Sequence, residues 1–182
     1  MTKIKITTKT ILNRVKYGVW GTLGGGSSCE VHFLQTIITG DDIDNVKKIS
    51  EIPESQKWKI KDLFQRNVNN KRVSDEIVPY LNDDKKIKFF NPLTLIILPH
   101  DLKLKIDKEV PLLEKEDFTD DIGITFNAIK KDGYYRFGTS SEPFFAKLEW
   151  NSNSCYMVAI DGQHRLSALK EIKNDSNNPS PA

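Results

Sequence analysis

Cysteine is nearly missing from this sequence: Cys29 and Cys155 are its two cysteines, far apart and in no Cys-x-x-Cys pair. That excludes a disulfide framework or a thiolate zinc centre as the organising device. Long hydrophobic runs are missing too. Nothing approaches the roughly 20 apolar residues of a membrane-spanning helix, and no apolar stretch follows the amino terminus as in a secretory leader. The cytoplasm is the expected location, with no membrane partner. A dominant charge sign is also lacking, since 27 basic against 25 acidic residues leave a net charge of +2. Nucleic-acid contact must therefore come from a local patch, not from the field of the whole molecule. The first 29 residues contain no acidic side chain but hold Lys3, Lys5, Lys9, Arg14 and Lys16. Those cations suit either a DNA-tracking arm or a strand edge guarded by lysines.

What is present is an ordinary globular balance, 38% hydrophobic and 29% charged, enough for one domain over 1–182. The amino-terminal part reads as two strands joined by a glycine-rich loop over residues 17–28, with Val31 and Phe33 in the second strand. A short helix is expected from about Asp42, with Val46 and Ile49 on one face and Pro53 closing it. A second is expected over residues 54–66 with Trp58, Leu63 and Phe64 inward. A third starts at Asn69 or Asn70, where Val73, Ile77, Tyr80 and Leu81 recur at helical spacing. Pro79 objects to that helix, because an internal proline removes a hydrogen bond and costs ~3 kcal/mol.

Leu93–Leu98 is nearly all apolar and suits a buried strand. Residues 100–121 read as a charged, solvated loop. Its Glu114, Glu116, Asp117, Asp120 and Asp121 match no metal-ligand spacing, and no metal ligand is assigned. Ala146, Leu148 and Trp150 alternate with Lys147 and Glu149, residues 151–154 are a turn, and the run 155–160 is a central buried strand. The expectation is a hairpin. A final helix follows, with Arg165, Ala168, Leu169 and Ile172 along one side and Lys170 and Lys173 toward its carboxyl end, complementing the dipole. The fold class is mixed, α/β or α+β.

The chemistry concentrates at Asp161-Gly162-Gln163-His164-Arg165. A glycine between a buried strand and a helix permits a sharp turn and a close ligand approach. The first helical amides are donors, and the helix start carries about half a positive charge, so a phosphate fits there. Arg165 is able to grip two phosphate oxygens. His164 adds a donor, and Gln163 serves a base, a sugar or water. Asp161 has three open roles: metal holder, orienter of His164, or helix cap. A purely structural Asp-Gly turn stands beside the anion site as an even alternative. Elsewhere, the glycine-rich stretch 21–28 lacks the Gly-Lys-Ser/Thr ending of a P-loop. Lys57, Lys59, Lys61, Arg66, Lys71 and Arg72, with Trp58 and Phe64 between them, form either a nucleic-acid surface or a solvated helix with two core aromatics. His32 and His100 are isolated, and Cys155 reads as a small core residue.

Residues 161–169, Asp-Gly-Gln-His-Arg-Leu-Ser-Ala-Leu, resemble the signature of the DGQHR-domain family, the DndB-like proteins. Gln65-Arg66 with Arg72-Val73 and Tyr80-Leu81 resembles that family's arginine-bearing helix, and Phe90-Asn91-Pro92-Leu93-Thr94 its strand entry. The likeness covers roughly residues 60–172. The turn is also similar to the phosphate-binding boxes of ParB-type proteins, through Gly162, His164, Arg165 and Ala168, and of sulfiredoxin. Gln163 stands at sulfiredoxin's reactive cysteine, which excludes that chemistry.

The resemblance implies a ParB/sulfiredoxin-like core with a small mixed sheet and flanking helices, in a chain truncated at its carboxyl end. It implies nucleotide binding by Gly162, Gln163, His164 and Arg165, with Arg66 and Arg72 nearby. ATP or another nucleoside triphosphate with magnesium is the implied cofactor. The setting is a bacterial DNA-modification system of the phosphorothioation type, or a defence system. DNA and other DNA-modification proteins are the implied partners. Slow triphosphate hydrolysis, with Asp161, His164 and Arg165 as catalytic residues, is one reading. A non-enzymatic DNA-binding transcriptional regulator is another, and a ParB-like nuclease a third.

Overall fold

The computed structural model describes residues 12–24, 31–53, 55, 68–85, 87–89, 91–100, 113–141 and 144–177. The expected helix over 54–66 lies almost wholly outside them. The chain divides into two compact units, Met1–Ile37 with Pro99–Cys155, and Ile38–Leu98 with Tyr156–Ala182. The class is α+β, with an antiparallel six-stranded sheet, a mixed three-stranded sheet and few helices. Among the described residues, no helix is long and apolar enough to cross a membrane.

The first unit holds β1 (Arg14–Leu23), β2 (Val31–Gln35), β5 (Glu114–Thr119), β6 (Thr125–Lys131), β7 (Tyr135–Ser140) and β8 (Phe145–Trp150), in the order β2-β1-β8-β7-β6-β5. β1 divides its length between partners, Arg14–Val19 against β8 and Val19–Leu23 against β2. The expected glycine loop is therefore shorter than 17–28, because Gly18 and Gly21 lie inside β1. Space explains them. A Cβ at Gly18 would lie 2.2 Å from the Gln35 carbonyl oxygen, and the Phe33 ring covers Gly21.

The charged stretch expected to be loop contains strand β5. Its register opposes Glu116 to Ala128 and Phe118 to Phe126. Charges on both faces conceal its period of two, and those of one face are paired across the sheet: Lys130 meets Glu114 and Glu116 at 3.6 and 3.4 Å. The β6–β7 turn is Asp132-Gly133, with Gly133 at φ 81°, a dipeptide that suits a tight hairpin. The sheet curls, since Lys147 Nζ on β8 comes within 5.6 Å of the Phe118 ring centroid on β5, three strands away. Phe126, Ala146 and Trp150 are its most buried apolar side chains.

The expected hairpin over 146–160 does not form. β8 is already paired on both edges, with β1 and β7, so it offers no ladder to the strand that follows. The turn 151–154 does form, tied by Asn151 Nδ2 to Ser154 Oγ at 2.9 Å. It delivers β9 (Cys155–Asp161) into the second sheet, where it lies between β3 (Val46–Lys48) and β4 (Thr94–Pro99).

In the second unit β9 is central, as its apolar run predicts, and Val158 and Ala159 are fully buried. Its parallel neighbour β3 (Val46–Lys48) pairs Val46 with Met157. This corrects the expected continuous helix from Asp42. α1 (Gly40–Asn45) ends before Val46, and a 3-10 turn (Ile49–Glu51) follows β3. Val46 and Ile49 are both buried as expected, but at a spacing that a strand followed by a turn satisfies equally. β4 (Thr94–Pro99) is an edge strand, half-buried rather than central.

α2 comprises Asn70–Arg72, a π turn Val73–Ile77, and Val78–Asn82. The π turn answers the Pro79 objection. There the Val78 N–H reaches back to the Val73 carbonyl, and the widened turn accommodates a residue that lacks its own donor. α3 (Gln163–Asn177) buries Leu166 and Ala168 completely. Full burial of a leucine-sized side chain stabilises by about 1.5–3 kcal/mol. Lys170 and Lys173 do not serve their own helix end. They lie within α3, and their ammonium groups donate at 2.7 Å to the carbonyls of Val46 and Gly40, fastening α1 and β3 to α3.

Candidate functional site

The turn between β9 and α3 is built around Gly162, at φ 82°. That region of backbone space favours glycine, and contacts reinforce the requirement. A Cβ there would lie 2.6 Å from Leu93 Cδ2 and 2.7 Å from Arg165 Nη2. The Leu166 N–H donates to the Gly162 carbonyl at 2.9 Å, the first helical bond. Gly162 thus occupies the N-cap position, and Asp161 stands outside the helix as the last residue of β9.

Asp161 neither caps the helix nor bonds to His164 in this arrangement. Its carboxylate accepts from Arg165 Nη2 at 3.0 Å, one helical turn on. The aspartate side chain is 74% exposed and the arginine 22%. Such a half-exposed pair is worth about 0–1 kcal/mol, so it is readily exchanged. The same Nη2 donates to the Pro92 carbonyl at 3.1 Å. Pro92 and Leu93 belong to the Asn-Pro-Leu-Thr string ahead of β4, so that string and the motif, distant in sequence, form one surface.

His164 makes the third junction. Its Nε2 accepts the Asn69 N–H at 2.9 Å. Asn69 is the N-cap of α2, and its side chain accepts from the Arg72 N–H at 3.1 Å. An imidazole that accepts at Nε2 is neutral, with its proton on Nδ1. In this geometry His164 Nε2 is an acceptor that positions α2 and is not the atom that would donate to a phosphate. Gln163 is 8% exposed, packed rather than offered to solvent. Asn69 is the residue sequence reasoning passed over. An asparagine before a helix is a recognised cap, but its partner across 95 residues leaves no local signal.

Of the arginines expected nearby, Arg72 lies on α2, pairs with Glu76 at 3.4 Å and is 59% exposed. Arg66 lies outside the described residues, as do Lys57, Lys59 and Lys61. His32 is engaged with the rings of Trp20 and Phe137, and Cys155 is a buried core thiol.

Among the described residues, no group of three His, Cys, Asp or Glu side chains could hold a metal ion. Asp161 is the motif's one carboxylate, and in this arrangement it serves Arg165; a magnesium ion, which takes one or two carboxylates with phosphate and water oxygens, would draw on that group. What the turn offers chemically is a guanidinium at the start of a helix, next to a carboxylate that an external anion is able to displace. No protein family, curated protein or solved structure was found to match the chain.

Proposed function

We propose that the Asp161–Arg165 turn is a phosphate site and that the chain binds a nucleotide, as the ParB/sulfiredoxin-like and DGQHR resemblance implies. The observation carrying this reading is the Arg165 guanidinium, steadied by the Pro92 carbonyl and exchangeably paired with the exposed Asp161 carboxylate. In open sheets ligands gather beyond the carboxyl ends of parallel strands, which is where this turn lies on β9. Asp161 occupies the position of the anion, and a triphosphate oxygen replaces it. The role is binding within a DNA-modification or defence system, with DNA and other proteins of such a system as partners. The role proposed is binding rather than turnover, because the motif's one carboxylate, Asp161, is engaged with Arg165.

Calorimetric titration of the full chain with ATP, GTP and CTP, with and without magnesium, tests this. At least one nucleotide should bind without magnesium. Asp161→Asn should bind it severalfold more tightly, because the competing carboxylate is gone. Magnesium-dependent binding that Asp161→Asn abolishes would return Asp161 to a metal-holding role. Failure of all three nucleotides to bind would end the phosphate reading.

A further inference from the structure

We infer that Phe89 is the platform on which the base of the bound nucleotide stacks, an inference that rests on the phosphate reading of Arg165 above. Residues 87–89, between α2 and β4, are fastened to one side chain of α2. The Tyr80 hydroxyl accepts the Phe89 N–H at 2.6 Å and donates to the Ile87 and Phe89 carbonyls, each at 3.3 Å. The Lys88 ammonium donates to the carbonyl of Tyr80 at 2.9 Å and to that of Asp83, and lies 5.6 Å from the centre of the Tyr80 ring. The polar groups of this short segment are thus turned to α2, and its backbone is held. The side chains of Ile87 and Phe89 are left in water, 95% and 84% exposed.

Single exposed apolar residues are ordinary on a protein surface. Two on one fastened backbone, beside an anion site, form a contact surface. Phe89 stands three residues before Pro92, whose carbonyl receives Arg165 Nη2 at 3.1 Å. At ~3.8 Å per residue its Cα lies within about 11 Å of that anchor. All of these groups belong to the second unit. The ribose and phosphate chain of one nucleotide bridges a gap of that order. The nearby guanidinium selects a nucleotide over a protein surface, because a nucleotide carries a phosphate and a π-face on one small molecule. Every base has such a face, so the Phe89 ring accepts any of them, and Ile87 widens the apolar surface beside it.

Calorimetry of the full chain with ATP, GTP and CTP, and with inorganic tripolyphosphate, all without magnesium, tests the inference. Phe89→Ala should weaken nucleotide binding about fivefold to a hundredfold, the range for a base stacked on an aromatic ring, and change tripolyphosphate affinity by less than about twofold. Phe89→Leu keeps an apolar side chain without a π-face and should lose nearly as much, whereas Phe89→Trp should bind nucleotide as the parent does. Only backbone atoms of Phe89 bond to Tyr80, so the variants should melt with the parent. Nucleotide affinity unchanged in Phe89→Ala, or retained by Phe89→Leu, would overturn the inference, leave the phosphate site standing and point to a protein partner for the loop. Equal losses for tripolyphosphate and nucleotide in Phe89→Ala would also overturn it. A parent that binds neither tripolyphosphate nor any of the three nucleotides would overturn the phosphate reading and this inference with it.

Discussion

Alanine at Gly162 is a severe test of the motif turn as built. At φ 82° an L-residue pays about 1–2 kcal/mol relative to glycine. The new methyl would also sit 2.6 Å from Leu93 Cδ2 and 2.7 Å from Arg165 Nη2. Both neighbours are side-chain ends, but moving the arginine disturbs its bonds to Pro92 and Asp161, so about 1–2 kcal/mol of overpacking is added. Loss of unfolded-state freedom returns about 0.4–1 kcal/mol. The net expectation is a destabilisation of about 2–3 kcal/mol, or roughly 4–12 °C in melting temperature for a chain of this size. Gly123→Ala supplies the control, with φ 83° but nothing within 4 Å of the added carbon, so it carries the backbone cost alone. Urea unfolding followed by circular dichroism compares them. If Gly162→Ala unfolds no earlier than Gly123→Ala, the crowding of Leu93 and Arg165 around the turn is wrong.

Gly138→Val should destabilise the first unit by about 2–4 kcal/mol in the same assay, because a Cβ there lies 2.8 Å from Phe126 Cβ and 2.9 Å from the Phe118 ring, and Phe126 is fully buried. An unchanged midpoint would mean that Phe118 does not fold over that glycine. His164→Ala should cost about 1 kcal/mol and speed hydrogen exchange at the Asn69 amide at constant pH. Unaltered exchange at Asn69 would remove His164 from the α2 cap. Burial works to raise the Glu51 carboxyl, but the Lys48 N–H and the ammonium groups of Lys170 and Lys48 outweigh it and hold the group below its ordinary value of 4.5. Its contribution to stability is therefore present above pH 4.5 and lost as pH falls through the lower folded value. Glu51→Gln should flatten that part of the stability–pH curve, and an identical slope in both proteins would show the Lys170–Glu51 contact to be inert.

The parts of the fold legible in the sequence are those whose signal is local. The run 155–160, the glycine after Asp161 and the amphipathic stretch from Gln163 mark β9, its turn and α3 from neighbouring residues alone. The α2 periodicity was equally plain, and only the π turn that admits Pro79 lay hidden. Errors arise where a distant partner decides. Val46 and Ile49 satisfy a helix stripe as well as a strand and a turn, and only the ladder to Met157 selects the strand. β8 and β9 look like a hairpin until β1 and β7 occupy both edges of β8. β5 was invisible because charges outside and inside erase its alternation, although Asp132-Gly133 was a readable sign of the β6–β7 hairpin. At the site, the five-residue string located the turn and its glycine, but the partners of its side chains were not legible. Pro92 and Asn69 reach Arg165 and His164 across most of the second unit's sequence.

The central claim is that Arg165 is kept for a phosphate, and Arg165→Lys tests it most directly. Lysine keeps the charge but loses the planar fork. The measurement is the affinity of parent and variant for the nucleotide that binds the parent most tightly, by calorimetry, with thermal melts in the absence of ligand. Loss of one charge-assisted contact is worth ~1.5–3 kcal/mol, so affinity should fall roughly tenfold to hundredfold, while the ligand-free melting temperature moves by no more than about 4 °C, as expected for a half-exposed ion pair. A variant that melts far below the parent yet binds nucleotide with undiminished affinity would contradict the account and make Arg165 a structural clamp between β9 and Pro92.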